Sequence, residues 1–162
     1  MATKRGSQAA IAPHTLEFAP ACKQLALVLL AINLISFTVT WYKVWWDSII
    51  GVCVMVYGYW ALRDTNPAHL EPARVRNFHH GIIFSLTCHI IAVGEVTYSI
   101  IRLYLLDKIV RDAVSPGIPL FVFLYLFLLV EIGVTSFGVE KSYNLCQEIA
   151  RNEYFLQSEA LV

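Results

Sequence analysis

Charge is what this sequence has least of. Only 15% of its 162 residues are Asp, Glu, Lys or Arg, where a soluble domain carries about 25%. A water-soluble globule of this length needs more polar residues to cover its surface, so that class is excluded. An excess of either sign is missing as well: twelve basic and twelve acidic residues give a formal net charge of +0. Nucleic-acid binding would need a basic face, and intrinsic disorder would need low hydrophobicity. Neither fits a chain that is 57% hydrophobic with a mean hydropathy of +0.60.

Other absences narrow the field further. The four cysteines, Cys22, Cys53, Cys88 and Cys146, form no CxxC, and no two of them fall where an extracellular disulfide would form. No GxxxG motif is present. None of Asn33, Asn66, Asn77, Asn144 and Asn152 starts an Asn-x-Ser/Thr glycosylation site. Residues 1–20 lack the apolar core of a cleavable signal peptide. No phosphate loop, Ser/His/Asp arrangement or acidic cluster suggests catalysis, and no enzyme activity or cofactor is expected. Metal or haem binding is not expected either, because His89 reads as a lone intramembrane ligand and His79 and His80 as divergent residues at a helix entrance.

What is present is a set of long uncharged runs. A spanning helix needs roughly 20 mostly apolar residues. Such runs predict an all-α integral membrane protein, a four-helix transmembrane bundle with spans at about 24–42, 44–62, 79–106 and 117–139. Strands of a barrel would alternate apolar and polar, and Leu120–Val130 (LFVFLYLFLLV) does not. The division of the chain is then a flexible N-tail over 1–20, a membrane domain over 21–139 and a C-tail over 140–162. For the C-tail, a helical extension of the fourth span and a frayed end stand about even. Lys43–Asp47 reads as a tight hairpin among Trp41, Tyr42, Trp45 and Trp46 at the headgroup layer, with Asp47 in water. Pro72 is placed to open the third helix in its first turn.

The basic residues orient the chain. Lys4, Arg5, Lys23, Arg63, Arg74, Arg76, Lys141 and Arg151, eight in all, fall on the side of the termini, against three (Lys43, Lys108 and Arg111) on the other. By the positive-inside tendency both termini are expected in the cytoplasm.

Ionisable residues inside a bilayer cost about 2.5–3.5 kcal/mol each on insertion scales, so those within the spans are the candidate site. Asn33, His89, Glu95, Arg102 and Glu131 are the intramembrane polar candidates. Glu95 and Arg102 share a helical face with Ser99 between them, and a paired or water-bridged niche is expected. His89 and Glu131 each fall roughly 10 Å from the same membrane surface at 1.5 Å per residue, which predicts that the third and fourth helices bring them to one level. A hydrogen bond that fixes helix register is the plainer reading of that pair, and a proton relay the sharper one. Asn33 is expected to hydrogen-bond between helices. Ser36, Thr38, Ser85, Thr87, Thr97, Thr135 and Ser136 read alike, as ordinary membrane-helix residues. Gly51 and Gly58, seven apart, give the second helix a smooth packing face. Cys22 and Cys146 fall at the cytoplasmic boundary, where reversible palmitoylation occurs.

Three function classes follow. A structural or scaffolding tetraspan, associating laterally with itself or other membrane proteins, fits the short loops and the missing catalytic groups. In topology the plan resembles small tetraspan proteins of the MARVEL and arthropod septate-junction kind, which implies junction assembly, membrane organisation or trafficking at the plasma membrane. The alternatives are a proton-coupled transporter or channel subunit using Glu95, His89 and Glu131, and an accessory subunit of a larger membrane complex. The partners expected are the lipid bilayer and other membrane proteins, without nucleic acid or an identifiable small-molecule substrate.

Overall fold

The structure, a computed structural model, describes residues 16–40, 43–64, 70–105 and 118–160. The expectations for the N-tail before residue 16, for Trp41 and Tyr42, and for the 107–116 loop lie outside the described residues. Among the described residues there are four helices: α1 (Phe18–Thr40), α2 (Trp45–Ala61), α3 (Pro72–Leu105) and α4 (Ile118–Ala160). Of these, α1, α3 and α4 are long and apolar enough to cross a membrane. The fourth expected span is short: α2 has 17 residues, about 26 Å of rise against a hydrocarbon core of about 30 Å.

Local chemistry sets the helix ends. Pro72 occupies the first position of α3, where its missing N–H is one that no intrahelical bond would have used. The Glu71 carbonyl accepts from the Arg74 and Val75 amides at 3.0 and 3.3 Å and closes that first turn. The start of α1 is capped from across the fold, since the Glu148 carboxylate accepts from the Glu17 and Phe18 amides at 2.7 and 3.2 Å. That contact exists because α4 continues unbroken past residue 140 to Ala160, so of the two readings of the C-tail the helix is the one observed. Glu148→Ala is expected to cost about 1 kcal/mol, the usual scale of a lost cap. Faster hydrogen exchange confined to the first turn of α1 checks it.

Each helix packs antiparallel on two neighbours: α1 on α2 and α4, and α3 on α2 and α4. The side chains are arranged inside out relative to a water-soluble protein. Leu34, Ile35, Phe84, Ile90, Ile91, Leu126 and Val130 are all more than half exposed, whereas Asn33, Ser36, Asp47, Ser48, Ser85, His89, Glu131 and Thr135 are buried. Three layers stack along the helix axes. An apolar layer at the end where α1 begins and α4 finishes, the termini end, includes Leu29, Met55, Phe78, Ile82 and Leu145. A second apolar layer, at the α1–α2 turn, consists of Val44, Ala92, Val96, Leu124 and Leu128. The polar residues occupy positions between these two layers on every helix.

The termini end is also ringed by cations over aromatic rings. Lys23 lies 5.5 Å from the Tyr59 centroid, Arg74 4.5 Å from Trp60 and Lys141 5.0 Å from Phe137. Such amphipathic side chains suit a headgroup layer.

Candidate functional site

The polar layer centres on Asp47, His89 and Glu131, from α2, α3 and α4 respectively. All three are buried, with relative exposures of 1%, 0% and 1%. One ligand atom of each lies within 4.8 Å of the other two. The tightest contact joins His89 Nδ1 to Asp47 Oδ2 at 2.7 Å, and there the ring N–H donates and the carboxylate accepts. The Ser85 hydroxyl, one turn back on α3, lies 3.5 Å from Nε2. Asp47 sits in the first turn of α2, where the unpaired amides and the helix dipole favour negative charge. Val44, just before the helix, supplies no side-chain cap.

The acceptors are not matched by donors. Asp47 Oδ1 and both Glu131 carboxylate oxygens are buried with no hydrogen-bond partner within 3.5 Å, as is Thr135 Oγ1; the Ser36 hydroxyl, which accepts from Ser48, is the donor on the Glu131 side of the layer. Most buried polar side-chain atoms in folded proteins do have partners, and an exception calls for a reason. Three carboxylate oxygens around one imidazole are thus an acceptor-rich centre, suited to holding a cation.

The neighbouring hydroxyls split into two kinds that the sequence treats as one. Ser48 donates to Ser36 at 3.1 Å, and Ser48 and Thr40 share a 3.0 Å bond, linking α1 to α2 beside Asp47. By contrast Thr38, Thr87, Thr97 and Ser136 bond back to carbonyls three or four residues earlier on their own helices. That is the usual way for a membrane helix to absorb a hydroxyl.

The remaining candidates separate from the centre. Asn33 is buried, but its amide donates to the Leu29 carbonyl of its own helix at 2.8 Å, and its oxygen has no partner. The interhelical hydrogen bond expected of it is replaced by packing over Gly51. Glu95 is only half-buried and Arg102 is exposed. Ser99 donates to the Glu95 backbone carbonyl at 2.9 Å, and among the described residues no ion pair joins Glu95 to Arg102. Neither belongs to the buried centre. Cys22 is buried in the apolar layer at the termini end, while Cys146 is half-buried beside it. His79 is taken up by Ser142, 2.8 Å from its Nδ1.

Asp47 is the member of the centre that the sequence reading misses, since its placement in water at the hairpin is overturned by its burial against His89. The burial also removes the ground for treating His89 as a lone ligand.

The fold and the site together define a class: three membrane-length helices, an apolar exterior and a buried ionisable centre are those of a multi-pass membrane protein. Comparison with protein families, curated proteins and solved structures finds no match to this chain.

Proposed function

We propose that this chain is a cation-translocating membrane protein, a transporter or channel subunit, in which Asp47, His89 and Glu131 form the intramembrane station. The observation that carries the reading is the set of unpartnered carboxylate oxygens in a layer closed by apolar side chains on both sides. A network whose only task was to fix helix register would be stabilised by satisfying its atoms. One that leaves three acceptors open is poised for an occupant, and ionisable residues inside membranes commonly mark ion pathways. In this reading α2, extended by Val44 and Leu62, is a fourth span, and the termini face the cytoplasm beside the cation–aromatic ring. The sealed layer is then an occluded state, with one apolar layer as the barrier to each side. Plasma membrane is the proposed location.

A scaffolding tetraspan is the second reading, favoured by the continuous α4, which projects well beyond the other helices and offers a rod for lateral or cytoplasmic contacts. Reconstitution separates the two. Wild-type protein in sealed vesicles is expected to move protons or a divalent cation, followed with dyes for each, and Glu131→Gln is expected to reduce the flux to that of empty vesicles with unchanged elution on size exclusion. A wild type inactive with both dyes, together with loss of co-purifying membrane proteins in Glu131→Gln, would favour the scaffold and end the translocation reading.

A further inference from the structure

The geometry points to a divalent first-row metal ion, of the zinc class, as the occupant of the Asp47–His89–Glu131 centre. The inference names the cation for the station proposed above and rests on that reading for transport, though not for binding. Three observations support it independently of any catalytic role.

The first is donor type. One imidazole and two carboxylates from three different helices present nitrogen and oxygen together. Imidazole favours zinc, copper, iron or nickel, while magnesium and calcium prefer oxygen alone. Three protein ligands with a further position left open is the pattern of zinc sites that exchange or activate something, as opposed to closed structural sites.

The second is spacing. Ligand atoms around a tetrahedral zinc at about 2.0–2.2 Å stand roughly 3.3–3.6 Å apart. The three donors already lie within 4.8 Å of one another; for the ion to take His89 Nδ1, the ring proton passes to Nε2, beside the Ser85 hydroxyl, and the 2.7 Å Asp47–His89 contact opens.

The third is the unmet demand for positive charge. Both Glu131 oxygens and Asp47 Oδ1 are buried and unpartnered, and among the described residues no Lys or Arg is buried. A divalent ion balances two carboxylates while the imidazole stays neutral. Uncompensated charge in so apolar a surround is strongly unfavourable, and an ion of charge two leaves the centre neutral with both carboxylates ionised and free to ligate. The hydroxyls of Ser85 and Thr135, in the same layer, are available to the ion's outer shell.

The test uses full-length protein, purified in mild detergent with its affinity tag removed and stripped with chelator. Titration with Co2+ should give one equivalent per chain with the visible absorption of a low-coordinate cobalt site, displaced by Zn2+. Glu131→Gln and His89→Gln should each weaken binding by more than about tenfold, since even an outer-shell partner's loss does that. Zn2+ should raise the melting temperature of the wild type and not of these two variants. His79→Ala/His80→Ala, which removes the other described histidines, should bind like the wild type. No stoichiometric binding by the wild type, or binding that survives both Glu131→Gln and His89→Gln, would overturn the site. Vesicles that pass protons while the protein binds no cobalt would overturn the metal and leave the translocation reading standing. Cobalt bound at the centre with no flux of any cation would do the reverse.

Discussion

Replacing His89 by leucine is expected to destabilise the folded chain by about 3–5 kcal/mol, the cost of stripping one partner from a buried ionic pair. The imidazole is fully buried and holds Asp47 Oδ2 at 2.7 Å. Without it, Asp47 and Glu131 are two buried carboxylates facing each other, with no donor left for Oδ2 and three oxygens already unpartnered. Leucine fills the volume but offers nothing to a carboxylate. The informative comparison is the double variant Asp47→Leu/His89→Leu, which removes the charge together with its partner. Replacing a buried pair by apolar groups of similar size is often close to neutral. The double variant should therefore be more stable than His89→Leu alone, and the two changes should be coupled in a cycle. Reversible unfolding in mild detergent with chelator present measures this. A double variant that costs the sum of the two single changes would mean that the pair is not held as described.

How legible this centre was in the sequence differs residue by residue. The long helices follow from gaps between charges, because each buried charge is costly and their absence over about 20 residues is informative. The common level of His89 and Glu131 follows from depth, since rise per residue is fixed and antiparallel neighbours share a scale, but the hydrogen bond expected between them is not made: His89 bonds Asp47 and the Glu131 oxygens have no partner. Asp47 does not follow from either argument. Both treat a charged residue between two apolar runs as a marker of the membrane edge, and a carboxylate at the start of a short helix is the usual form of such a marker. It is buried because α3 and α4 continue past the α1–α2 turn, so that Val44 packs between Ala92, Val96, Leu124 and Leu128 and the residues beneath it are covered. That is a property of relative helix length in the folded chain, which no window on the sequence contains. The hydroxyls show the same limit. Ser36 and Thr38 are alike by composition, yet one faces α2 and the other bonds back to Ile35.

Glycine substitutions should divide sharply by position. On α2, a Cβ at Gly58 would stand 1.9 Å from the Phe78 ring and one at Gly51 1.8 Å from the Asn33 side-chain oxygen. Phe78 is 1% exposed and locked within the apolar layer at the termini end, so its ring has nowhere to turn. Asn33 is tethered by its bond to the Leu29 carbonyl. In each case α2 has to move off its neighbour, and overpacking of this kind costs about 1–3 kcal/mol or more. Gly58→Leu is expected at or above the top of that range, since the whole side chain has to displace the ring, while Gly58→Ala and Gly51→Ala fall within it. Any lengthening of the α2–α3 separation at Gly58 also loosens Asp47 from His89, which lie three turns further along the same pair of helices, so Gly58→Leu should weaken cobalt binding as well as folding. Gly94 and Gly133 are the controls. A Cβ at either meets nothing within 4 Å, and alanine there should leave stability unchanged or raise it by up to about 1 kcal/mol through helix propensity. Unfolding midpoints in one detergent for all four alanine variants read out the division. Equal losses at Gly58 and Gly94 would show that the cost belongs to the helix backbone and not to the close approach of α2 to Phe78.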